Sequence, residues 1–258
     1  YDIPAPDVNT NAQIMAWILD TYLSTVAPAE RARNTHVVTG KPVVLGGSVG
    51  RDKATGQGLV FVIEEWARLS GIDLGTTSFI VQGYGNVGSW AARLLARHGA
   101  KMVAVEDHSG AIANPNGIDP TDLLQYTQGN HGGVQGYKDA EAIDHETFLS
   151  TPCTMFVPAA LENQINERTA PLLNCQLVAE GANGPTDLDG NRILAERGIE
   201  VLPDILCNSG GVIVSYFEWL QNKRSEFWEL EEVDTKLRRR ITRAYQATVQ
   251  AAERYGTD

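Results

Sequence analysis

Cysteine is scarce in this chain and badly placed for bridging. Cys153, Cys175 and Cys207 are odd in number, far apart, and each sits in or beside an apolar run. That pattern excludes a disulfide framework or a zinc site and fits buried free thiols in a reducing, cytoplasmic setting. The five histidines (36, 98, 108, 131 and 145) show no ligand spacing, so no metal is expected. No apolar run reaches the length of a membrane-spanning helix. The opening residues YDIPAPDV resemble neither a signal nor a transit peptide, and without an initiator methionine they read as the start of a fragment. Positive charge is also short. The 21 basic residues face 32 acidic ones, for a formal net charge of −11, and most of the bases are arginine. Such a surface repels nucleic acid and anionic membranes, so neither is expected as a partner.

What the 258 residues do contain is ordinary globular material, 43% hydrophobic and 21% charged, enough for one large α/β domain or two smaller ones. The chain centres on residues 76–107, TTSFIVQGYGNVGSWAARLLARHGAKMVAVED. Residues 77–81 are short, apolar and suited to a strand. Gly83, Gly85 and Gly88 follow at the GxGxxG spacing. From Asn86 the apolar positions recur at helical spacing until Gly99, and residues 101–105 read as a second buried strand. In such a unit the first glycine permits the tight turn, the second lets the backbone approach a pyrophosphate, and the third packs the helix on the sheet. The helix start, with Asn86 and Val87, offers unpaired N–H groups to phosphate. Glu106 and Asp107 end the second strand, where an acid holds a ribose hydroxyl pair. A dinucleotide-binding unit of Rossmann type is therefore expected.

Before this unit, a helix is expected over residues 11–24, with Thr10 and Gln13 as its capping box and Ile14, Trp17, Ile18 and Tyr22 on one face. A polar linker (31–34) and a short strand (36–39) come next. The glycine-rich stretch 40–58, GKPVVLGGSVGRDKATGQG, lacks the GK[ST] ending of a phosphate loop. A helix over 55–74 leads into the central unit. Beyond it, residues 108–120 read as loop and 119–128 as a short helix. Further strands are expected at 152–160, 176–181 and 199–203, with a helix at 187–197. This alternation argues for an α/β fold with a doubly wound, mostly parallel sheet. In such sheets the ligand lies at the strands' carboxyl ends, where Gly83, Asp107, Pro158, Asn183 and Asn208 follow their strands, with Ala159 and Ala160 after Pro158 expected beside the coenzyme. Helices are expected from Ser209 to Asn222 and in the last stretch, where Glu232/Lys236 and Asp234/Arg238 are i, i+4 pairs and Leu237, Ile241, Ala244, Tyr245 and Thr248 line an inner face.

Four segments in order, DIPAPDV (2–8), the stretch 40–58, VQGYGNVG (81–88), and AEGANGPT (179–186) with NSGGVIVSYFEWLQN (208–222), resemble the glutamate dehydrogenase family. The resemblance implies reversible NAD(P)-dependent deamination of L-glutamate to 2-oxoglutarate and ammonium. It implies proton transfer by Asp7, an amino-acid pocket lined by Ala5, Arg51, Val212 and Ser215, and Thr55, Asn183 and Asn208 near the nicotinamide. A serine at 215 suits a second carboxylate, whereas an aliphatic substrate has no use for it. The resemblance further implies a homohexamer, and an N-terminal lobe carrying the catalytic lysines ahead of the PAPD segment. On that reading residues 1–38 are a remnant of the substrate domain, 39–220 the dinucleotide-binding domain and 221–258 a C-terminal helical segment. The chain alone would then be the coenzyme half, with little turnover. The acids at 106 and 107 favour NAD over NADP. A leucine, valine or phenylalanine dehydrogenase, or a non-catalytic dinucleotide-binding module, are the alternatives.

Overall fold

A computed structural model describes residues 2–7 and 9–256. These form two compact units, one of residues 1–54 with 210–240, the other of 55–209 with 241–258. The units are spatial, so they cut across the sequence divisions at 38/39 and 220/221.

In chain order the helices are α1 (Ala12–Ser24), α2 (Ala54–Ser70), α3 (Asn86–Arg97), α4 (Pro120–Gly129), α5 (His145–Ser150), α6 (Leu188–Glu196), α7 (Asp204–Cys207), α8 (Gly210–Arg224) and α9 (Leu230–Tyr255). The strands are β1 (Ser78–Gln82), β2 (Lys101–Asp107), β3 (Gly110–Ala113), β4 (Glu141–Ile143), β5 (Met155–Pro158), β6 (Leu177–Ala179) and β7 (Glu200–Leu202).

The larger unit holds one seven-stranded sheet in the order β4-β3-β2-β1-β5-β6-β7. β1, β2, β5, β6 and β7 run parallel. The strands are short and apolar because both faces are covered: Phe79, Ile80, Val81, Met155, Phe156, Val157, Leu177 and Val178 are all fully buried. Phe148, Leu149 and Leu194 close over the same core from α5 and α6. The chain leaves β1 toward β2 and later returns to β5 on the opposite side. The order therefore reverses between β1 and β5, which opens the crevice where ligands bind in doubly wound sheets.

Two elements were not legible as strands. β3 extends the sheet antiparallel to β2, within a stretch that read as loop, and β4 adds antiparallel to β3. They are only four and three residues long, too short for an alternating pattern to stand out.

In the smaller unit α1 is capped by Asn11, whose Oδ1 accepts from the Ile14 N–H at 3.1 Å. The expected Thr10–Gln13 capping box is not formed. Thr10 instead closes a turn on Asp7, its Oγ1 accepting from the Asp7 N–H at 2.7 Å. The helix buries Met15, Ala16 and Leu19, and the face carrying Trp17, Ile18 and Tyr22 is exposed. Residues 36–39 are not a strand: Pro28–Val37 is 3-10 helix, started by Pro28, which fits the first turn of a helix. In α9 Val233, Leu237, Ile241 and Tyr245 are buried at fourfold spacing, while Ala244 and Thr248 are exposed. Asp234 pairs with Lys53 at 2.6 Å, and the expected Glu232–Lys236 pair is present at 3.5 Å.

Candidate functional site

Each unit gathers its own set of the expected residues. In the larger unit the backbone ladder continues past the strand ends at the β1/β5 reversal. The Gly83 N–H donates to the Glu106 carbonyl and the Ala159 N–H to the Gln82 carbonyl, both at 2.7 Å. Gly83 has φ +91°, the left-handed region that glycine enters without strain, and a Cβ there would lie 2.7 Å from the Ala159 carbonyl. A Cβ on Gly88 would overlap the Gly83 carbonyl outright. Gly85 is the opposite case. It is exposed and extended (φ −78°), and a Cβ there would have nothing within 4 Å.

Gly85 is also the N-cap of α3 and offers no side chain to the first turn. The N–H groups that begin α3 at exposed Asn86 and half-buried Val87 are thus presented with the helix's partial positive charge. An open glycine backbone beside a helix N-terminus, with Ala159 and Ala160 across the crevice, fits a pyrophosphate. Gly56, early in α2, lets that helix lie on α3, since a Cβ there would sit 2.7 Å from Trp90 Cβ. Thr55 is half-buried in the first turn of α2.

The two acids that end β2 have different surroundings. Asp107 is anchored on both oxygens: Oδ1 accepts from the Ser109 N–H at 2.8 Å and its hydroxyl at 2.5 Å, and Oδ2 from the Val134 N–H at 3.0 Å. Its side chain is only 6% exposed. Asp107 thus ties down the segments around 109 and 134. Glu106 is held by side chains, Oε1 by His145 Nδ1 at 2.8 Å and Oε2 by Gln82 Nε2 at 3.0 Å. Gln82 in turn has Oε1 buried without a hydrogen-bond partner among the described residues. Neither Gln82 nor His145 stood out in the sequence, because their importance comes from pairing across the sheet.

Beyond β6 and β7, Asn208 Nδ2 donates to Asn183 Oδ1 at 2.6 Å, so these two expected residues meet. Asp204 holds the Gly184 N–H at 2.8 Å. Glu180 accepts from the Asp204 N–H at 2.9 Å, and burial pushes its carboxyl above the usual range. Burial likewise raises all three free thiols, so Cys153, Cys175 and Cys207 are poor nucleophiles.

The smaller unit draws three motif segments together around one carboxylate. Glu218, fully buried on α8, accepts from the N–H groups of Gly40 (2.9 Å), Lys41 (3.3 Å) and Ser48 (3.2 Å) and from Lys41 Nζ (2.7 Å). Lys41 is equally buried, and its Nζ also donates to the Val38 carbonyl at 2.6 Å. The glutamate of SYFEW is therefore the clamp on residues 40–48. Its neighbour in the fold, Thr39, donates its N–H to the Pro4 carbonyl at 2.9 Å. Gly40 has φ +75°, and a Cβ there would overlap the Pro6 ring. That pins the segment bearing Ala5 and Asp7, both exposed, although Val8 of the motif lies outside the described residues.

Further along, Arg51 Nε donates to Ser215 Oγ at 2.8 Å. Burial lowers the Arg51 pKa, with Glu218 and Asp52 opposing. Its two Nη groups make no other hydrogen bond among the described residues. Val212, one turn before Ser215 on α8, is 75% exposed. A hydroxyl that accepts from a guanidinium keeps its own proton to donate, so Arg51 and Ser215 together offer donors to an anion.

A family model for glutamate/leucine/phenylalanine/valine dehydrogenase matches residues 46–258. The chain belongs to this dehydrogenase family. Similar family members include a glutamate dehydrogenase of Thermotoga maritima, 45% identical over 258 residues, all of this chain and 61% of that protein. Glutamate dehydrogenase A2 of Halobacterium salinarum is 44% identical over 98% of this chain and 59% of its own length. Among solved structures, the hetero-hexameric glutamate dehydrogenase of Thermus thermophilus in its leucine-bound form superposes with TM-score 0.92 at 35% identity, over 100% of this chain and 60% of that one. The chain thus spans about three fifths of the length of these relatives. No described helix is long and apolar enough to cross a membrane, and no described group of side chains could hold a metal.

Proposed function

We propose that the chain is the coenzyme-binding half, with part of the amino-acid pocket, of a glutamate dehydrogenase that prefers NAD. The reaction is reversible. Loss of hydride from the Cα of L-glutamate would leave an imine that adds water and gives 2-oxoglutarate and ammonium. The nicotinamide supplies the hydride acceptor. The turn at Gly83, Gly85 and Gly88 with Asn86 and Val87 binds the pyrophosphate, with Ala159 and Ala160 as the opposite wall. Glu106 takes the adenosine ribose, since Asp107 is committed to its own loops. Thr55, Asn183 and Asn208 orient the nicotinamide end. Asp7 accepts the proton of the substrate ammonium, which must be neutral for the imine to form.

The observation that carries the glutamate reading is the 2.8 Å bond between Arg51 and Ser215. A part-buried guanidinium–hydroxyl pair suits a side-chain carboxylate and is costly beside a hydrocarbon. Ala5 and Val212 complete that pocket. We further propose a hexameric assembly and a cytoplasmic location, the first suggested by the hexameric Thermus relative and the second by three free thiols.

A substrate panel tests the reading. The chain is fused behind the N-terminal lobe of the Thermotoga relative and offered glutamate, leucine, valine and phenylalanine with NAD. Glutamate is expected to be the best substrate by a wide margin. Preference for an aliphatic or aromatic amino acid overturns the assignment. The 258-residue chain by itself is expected to turn over glutamate barely or not at all, because the family's lysines precede PAPD; robust turnover refutes the half-site reading.

A further inference from the structure

Within the larger unit, Glu106 does not face the coenzyme position alone. The sheet register sets Glu106 opposite Ala111 of β3, and Ala111 opposite Ile143 of β4. Two residues past Ile143 the chain turns into α5, which places His145 at the helix start with its Nδ1 2.8 Å from Glu106 Oε1. Gln82 holds the other oxygen. The carboxylate is 13% exposed and the imidazole 49% exposed, so the pair can meet a ligand as one unit. A carboxylate cannot donate to the ring, so Nδ1 carries the proton and the pair has charge −1 with neutral His145 and zero with the protonated ring.

We propose that His145 is a specificity-determining residue of the coenzyme site. Through its bond to Glu106 it sets the charge shown to the adenosine ribose, and hence how strongly a 2′-phosphate is rejected. The inference rests on Glu106 being the ribose acid. With His145 neutral, the −1 pair bonds the free 2′,3′-hydroxyls of NADH and repels the phosphate of NADPH. With His145 protonated, the pair is neutral, that repulsion is relieved, and the cation partly offsets the phosphate charge.

The other charges near the imidazole are few. Its own helix start contributes Asp144 and Glu146. β2 adds Lys101 at its far end and Asp107, which bonds away from His145 to Ser109 and Val134. β3 and the 3-10 turn Ala170–Leu172 carry no ionisable residue, and β4 carries Glu141. His108 lies 3.9 Å from Asp107. It is a second histidine beside the same strand end, against which His145 can be compared.

The test is a set of fluorescence titrations of the 258-residue chain with NADH and NADPH, at about pH 6 and about pH 8. It compares the wild type with His145→Asn and His108→Asn. Asparagine keeps a neutral donor near the Nδ1 position but cannot titrate. The phosphate of NADPH itself takes up a proton near pH 6, and that effect is common to all three proteins. In the wild type and in His108→Asn, the ratio of the NADPH to the NADH dissociation constant is expected to narrow on acidification about tenfold more than in His145→Asn. An equal pH response in wild type and His145→Asn overturns the role of His145 while leaving the dinucleotide site intact. Glu106→Gln gives a second check, with discrimination expected to be weak at both pH values. Strong discrimination retained in that variant overturns the inference, and binding of neither coenzyme by wild type overturns the dinucleotide reading and the inference with it.

Discussion

Gly85→Ala separates what the turn does for the fold from what it does for a ligand. Gly85 sits at φ −78° and ψ −154°, extended backbone that alanine adopts freely, and nothing lies within 4 Å of the added methyl. The fold therefore tolerates the change. Lower entropy of the unfolded chain would even add about 0.4–1 kcal/mol of stability. The methyl instead occupies the space a pyrophosphate needs beside the N–H groups of α3. Hydrogen bonds to a charged group contribute about 1.5–3 kcal/mol, so NADH affinity should fall roughly ten- to a hundredfold, at 1.4 kcal/mol per decade. Gly88→Ala is the counterpart. There the methyl drives into the Gly83 carbonyl, and overpacking of about 1–3 kcal/mol or more should lower the melting temperature by several degrees in a chain of this size. Thermal melts and NADH titrations of both variants decide the matter. A Gly85→Ala protein that binds NADH like wild type would refute the reasoning, and so would one that fails to fold.

Three further outcomes are expected. Glu218→Ala leaves Lys41 as an unpaired buried cation and should cost about 3–5 kcal/mol, whereas Glu218→Ala with Lys41→Met should recover much of that loss in a thermal-melt cycle. Ser215→Ala in the lobe-completed fusion should raise the KM for glutamate more than it lowers kcat, with a weaker effect on leucine; steady-state kinetics read this. Glu180 has its carboxyl pushed up by burial, so its protonated form favours the folded state. That contribution is complete below the ordinary glutamate value and lost as pH rises through the raised one. Glu180→Gln should therefore melt higher than wild type near neutral pH, with the gain vanishing in acid.

The parallel strands and the glycine turn were legible because a buried strand, a fixed glycine spacing and a helical period leave local marks. Arg51 and Ser215, 164 positions apart, were expected to share a pocket only from the family resemblance. Their bond depends on Glu218 folding residues 40–48 onto α8, a long-range contact with no local signature. Asp107 and Glu106 show the same limit. Both end β2, and only their partners distinguish an acid that anchors loops from one held beside a histidine. The face of α1 was legible as amphipathic but not which side is buried, because Met15, Ala16 and Leu19 form a second apolar stripe as good as Trp17, Ile18 and Tyr22. His145 carried no mark at all.

The most direct test of the account is a titration of the 258-residue chain with NADH and then NADPH, at one ionic strength and about pH 8, read from the tryptophans. The coenzyme site assembled at Gly83, Gly85, Gly88 and Glu106 predicts saturable quenching by both, with NADH the tighter ligand. Tighter NADPH would contradict the role given to Glu106, and no binding of either would contradict the dinucleotide site itself.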